Sequence, residues 1–65
     1  MKQYKVTVHF DRSNPKTKVL ESNIVREGQF YAENKSKAKE QYLNQVHNNE
    51  PTLIKVRKVE VKEIK

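Results

Sequence analysis

The sequence predicts a single small α+β domain over residues 1–65, of order β-β-α-β. A three-stranded, antiparallel-rich sheet in the order 2-1-3 carries one helix on one face. Three observations point there. Apolar and polar residues alternate strictly over residues 3–10. A helical stripe follows a capping asparagine in the second half, and a shorter alternating run closes the chain.

The first strand is the clearest. Tyr4, Val6, Val8 and Phe10 alternate with Gln3, Lys5, Thr7 and His9, so the even positions face a core and the odd ones face away. Asp11, Arg12, Ser13, Asn14 and Pro15 form a turn-rich cluster where the chain is expected to reverse. Residues 18–32 are β-like but irregular. Val19 and Val25 have one parity and Leu20 and Ile24 the other, so no single face holds all four. A bulge near Ser22 and Asn23, or a bend at Gly28, resolves the conflict. Either one long bent strand or two short ones satisfies the pattern.

Asn34 is suited to cap a helix over about residues 35–48, in which Ala38, Tyr42, Leu43 and Val46 share a buried stripe. Lys39 projects on the edge of that stripe and snorkels outward. In the last segment Ile54 and Val56 have one parity and Val59 and Val61 the other, with Arg57 and Lys58 at the phase change. The expected strand is Lys58 to Ile64, preceded by a loop or a bulged continuation.

This topology gives the charge a location. Residues 1–20 carry five Lys/Arg against one acid and residues 51–65 five against two, whereas residues 21–50 carry four against five. A crossover that pairs the last strand antiparallel with the first makes the two basic ends neighbours. Lys5, Thr7, His9, Lys58 and Lys62 then share the face opposite the helix, and Arg12, Lys16 and Lys18 border it. Together with Arg57, these basic residues form the candidate nucleic-acid-binding set: Lys5, Arg12, Lys16, Lys18, Arg57, Lys58 and Lys62. Converging cations of this number give micromolar-scale, nonspecific affinity for phosphate backbone. Eleven of the fourteen basic residues are lysines, point charges that suit backbone or shape recognition better than base reading. Nothing separates DNA from RNA. Abundant lysine also solubilises small domains and blunts sheet edges, which accounts for positive charge without a nucleic acid.

Enzyme chemistry is not expected. His9 and His47 lack ligand-like spacing, one glycine cannot build a phosphate loop, and Ser13, Ser22 and Ser36 stand in no nucleophile elbow. No metal or cofactor is expected. The chain has no cysteine and no run approaching a membrane span or secretory h-region, so a soluble cytoplasmic protein is the expectation.

Several segments resemble the small ribosomal protein LX type, an archaeal large-subunit component with a β-β-α-β unit. They are Tyr4-Lys5-Val6 ending at Phe10, Phe30-Tyr31-Ala32-Glu33-Asn34, Ala38, and Val56-Arg57-Lys58-Val59-Glu60-Val61. The asparagine-rich stretch from His47 to Thr52 departs from it. That resemblance implies ribosomal RNA as partner and an RNA-backbone role for Arg57 and Lys58. The size and the Lys/Asn-rich composition are also similar to small early proteins of bacteriophages and mobile elements of low-GC Gram-positive hosts. This second resemblance implies the alternative function, binding and inhibiting or modulating a host protein by the helix or by strand addition. Homodimerisation through an exposed sheet edge is a further possibility.

Overall fold

A computed structural model of the chain describes residues 1–64. Its elements are β1 (Lys2–Ser13), β2 (Leu20–Ala32), α1 (Lys35–Asn49) and β3 (Leu53–Ile64). The sheet order is β2-β1-β3, with both pairings antiparallel. The expected topology is therefore the observed one. The strands are long, and the molecule measures 41 × 17 × 14 Å.

Alternation in β1 builds the core. Tyr4, Val6, Val8 and Phe10 are buried against Ala38, Tyr42 and Val46 of α1 and Ala32 of β2. Ile24, Phe30, Leu43, Leu53, Val56, Val59 and Val61 close its margins. As the central strand, β1 alone can have one face completely covered by a single helix. The Asn34 side chain caps α1 by accepting from the Lys37 amide at 2.9 Å. Lys39 is exposed, as its place at the stripe's edge requires.

Three bulges reconcile the mixed parities. Phe10 faces Ile24 and Arg12 faces Glu21, so Ser22 and Asn23 together oppose Asp11. Asn23 takes a φ of 56° there, a left-handed conformation that asparagine tolerates better than most residues. On the other side His9 faces Lys58 and Phe10 faces Val56, which leaves Arg57 as the extra residue; Ile54 is skipped similarly between Lys55 and Leu53. The bulge at Arg57 lets both Val56 and Val59 turn inward. Leu20–Ala32 thus form one bulged strand, and the stretch ahead of Lys58 is a bulged continuation of the final strand from Leu53.

Two expectations change. The chain does not reverse at Asp11–Ser13, because β1 continues through them. The turn occupies Asn14 to Val19, where Asn14 Oδ1 accepts from the Lys16 and Thr17 amides and Lys18 takes a φ of 61°. Gly28 is not a bend. It lies within β2 opposite Val6, and a Cβ there would stand 2.7 Å from Tyr42 Cε1. The glycine gives the tyrosine ring room to lie on the sheet and stack on Phe30, with ring centroids 5.9 Å apart.

Candidate nucleic-acid interface

The face of the sheet opposite α1 carries no covering element among the described residues. Register arranges its side chains in transverse rows. Ile64, Gln3 and Tyr31 form the first; Lys62, Lys5 and Gln29 the second; Glu60, Thr7 and Glu27 the third; Lys58, His9 and Val25 the fourth. Lys55 stands opposite Asp11 beyond them, at the bulged end. Successive rows lie about 7 Å apart along the strands, so basic and acidic bands alternate.

Each carboxylate on this face holds a cation. Glu27 lies 3.3 Å from Lys5 Nζ, and Glu60 lies 2.9 Å from Lys58 Nζ and 3.9 Å from His9 Nε2. The hydrogen bond from Lys58 holds the Glu60 carboxyl below its ordinary range. Lys62 has no carboxylate within 4.0 Å among the described residues, although Lys5 stands directly across from it. Like charges directly opposed on a sheet disfavour the pairing.

At the bulged end Asp11 is 8% exposed. Its Oδ1 accepts from Arg57 Nε at 2.7 Å and from the Asn23 amide at 2.9 Å. These bonds, the one from Arg57 foremost, hold its carboxyl below the usual range. The Arg57 guanidinium is raised above its own ordinary value by the same bond. The Arg57 side chain remains half exposed, and its Nη groups have no acceptor among the described residues. It is thus anchored through Nε while its fork stays open to an anion.

The candidate residues are distributed unequally. Lys5, Lys58 and Lys62 share the open face, Arg57 joins them at the bulge, and Lys16 and Lys18 are exposed in the β1–β2 turn. Arg12 does not border that face. Alternation after Phe10 turns it to the helix side, where Nε donates to Glu21 at 2.8 Å and Nη1 to Glu50 at 2.7 Å. These bonds, Glu50's first, push its guanidinium upward. Arg12 ties the end of α1 to the hairpin and has little left for a ligand. Lys55 was missed, yet a signal existed: the shared parity of Ile54 and Val56 puts Lys55 and Arg57 together on the other side.

No protein-family model, curated protein or solved structure matches the chain. Residue placement therefore carries the functional argument. A cleft of about 100 Å³ lies between α1 and β2, lined by Arg26, Tyr42, Gln45, Val46, Asn49 and Glu50. It is smaller than the roughly 300 Å³ at which ordinary ligand pockets begin. No cluster of three His, Cys, Asp or Glu among the described residues has metal-binding geometry. No helix among them is long and apolar enough to cross a membrane.

Proposed function

We propose that this protein is a binding module that engages nucleic-acid backbone through the open face of its sheet. The observation that carries the reading is Lys5 directly across from Lys62. This opposition disfavours strand pairing in the free protein and becomes favourable once a phosphate lies between the two ammonium groups. Lys55, Arg57 and Lys58 extend the same surface at the bulged end, and Lys16 and Lys18 continue it at the hairpin tip. Glu27 and Glu60 interrupt the positive field, which favours modest, salt-sensitive affinity. The exposed aromatic on this face is Tyr31, at 63%, a single base-stacking platform. Contacts are therefore mainly to phosphate, and base reading is slight.

Titration of ¹⁵N-labelled protein with short single- and double-stranded DNA and RNA at low salt tests this. Amide shifts are expected at Lys5, Thr7, Arg57, Lys58 and Lys62, with little change on the outer face of α1. Absence of shifts with all four nucleic acids, or shifts confined to α1, contradicts the proposal. Stoichiometric recovery of one protein from nuclease-treated lysate, together with that absence, favours the protein-binding alternative.

A further inference from the structure

We propose that a second copy of this chain pairs with the outer edge of β2, antiparallel and centred on Gly28, to form one six-stranded sheet. The two free edges of the sheet differ in their protection. On β3 the unbulged stretch Lys58–Ile64 includes Lys58, Glu60, Lys62 and Glu63, and bulges at Arg57 and Ile54 interrupt the rest. Charge on alternate residues and bulges are common ways to block edge pairing. On β2 the stretch Ile24–Ala32 runs nine residues without a bulge, lysine or proline, and its charged residues are Arg26 and Glu27.

Exposed apolar surface is concentrated at the same edge, and Ile54 of β3, 60% exposed, sits in a bulge that interrupts pairing on its side. Val25 is 44% and Tyr31 63% exposed, and both belong to β2; Leu20, its first residue, and the preceding Val19 are each 61% exposed. The helix packs on the other face and leaves Val25 and Tyr31 without cover.

The occupant follows from the self-complementarity of the strand. With Gly28 on a two-fold axis, Val25 stands opposite Tyr31 of the second copy, Glu27 opposite Gln29, Arg26 opposite Phe30 and Ile24 opposite Ala32. The reciprocal pairs repeat on the other side of the axis. No like charges are opposed. The two exposed apolar residues cover one another, an aromatic against a β-branched side chain, which is a favourable cross-strand pair. Gly28 at the centre adds no bulk on either face. Centring the pairing on Glu27 opposes Glu27 to itself, and centring it on Gln29 moves Tyr31 from Val25 to Glu27, so charge and apolar cover together select the register. In the free chain Arg26 Nη1 donates to the Val25 carbonyl at 3.1 Å. That exposed bond gives way to the incoming strand.

The pairing covers Tyr31, the exposed aromatic of the open face, but its test needs no ligand. Sedimentation equilibrium from micromolar to millimolar protein is expected to show mass rising from 7.7 kDa towards twice that value. In a mixed sample of labelled and unlabelled chains, isotope-filtered NMR is expected to show contacts between Val25 methyls and the Tyr31 ring of the other copy. The variant V25K/Y31K opposes lysines twice across the axis and is expected to weaken association about tenfold or more. Both sites are exposed, and circular dichroism checks that the variant stays folded; K35Q/K37Q on α1, away from both sheet edges, serves as the control that leaves association intact. A monomer at millimolar concentration overturns the proposal. So does association that survives V25K/Y31K, or intermolecular contacts located on β3.

Discussion

The Asp11 carboxylate joins two bulges, since one oxygen accepts from Arg57 of β3 at 2.7 Å and from the Asn23 amide of β2 at 2.9 Å. The strand between them thus fixes the irregularity of both neighbours. Because its carboxyl is depressed in the folded protein, Asp11 adds stability above the unfolded value near pH 4 and loses it as pH falls through the folded one. D11N should melt below wild type at pH 7, and the gap should narrow as pH falls below about 4. A gap constant from pH 7 to pH 2, followed by circular dichroism, contradicts the assignment.

Gly28 lies beneath the Tyr42 ring, and two effects oppose each other in G28A. A strand alanine without positive φ gains about 0.4–1 kcal/mol through the unfolded chain. A methyl 2.7 Å from Tyr42 Cε1 must displace a buried ring, at a cost of about 1–3 kcal/mol. The second effect is larger, so urea denaturation should show a net loss of about 1–2 kcal/mol. In the Y42L background the loss should shrink. A stabilised G28A would show that the ring yields freely.

The first turn of α1 has no acidic residue, and Lys35 and Lys37 add positive charge where the helix dipole is already positive. Lys37 is the third helical position, whose amide the Asn34 cap binds. K37E supplies a favourable charge there and should stabilise the fold by about 0.3–1 kcal/mol at low salt, less at high salt. Thermal melts at two ionic strengths measure this. A lowered melting temperature at low salt runs against it.

Glu27 competes with any anion for Lys5, which it approaches to 3.3 Å. E27Q should raise affinity for oligonucleotides roughly two- to fivefold, the size of one screened surface contact. Fluorescence anisotropy with wild type in parallel checks it. Weaker binding by E27Q would mean that the ligand does not approach Lys5.

Much of this arrangement was legible in the sequence because periodicity reports burial directly. Tyr4, Val6, Val8 and Phe10 identified the central strand, Asn34 the start of the helix, and the parity conflict at Ser22–Asn23 a real bulge. The phase change at Arg57 was equally real, although alternation alone does not separate a bulge from a loop. Gly28 escaped because glycine permits both a bend and a close approach, and only the packing of Tyr42 separates them. Arg12 escaped because its partner Glu50 is 38 residues away, a contact made by the crossover rather than by local pattern.

The salt dependence of nucleic-acid affinity in K5Q/K62Q, against wild type and the helix-face control K35Q/K37Q, tests the open-face account most directly. For duplex DNA, loss of two phosphate contacts should lower the slope of log affinity against log salt by about 1.8. The control should keep the wild-type slope. Equal slopes for K5Q/K62Q and wild type, or the larger drop in K35Q/K37Q, would contradict the claim that this sheet face meets the phosphates.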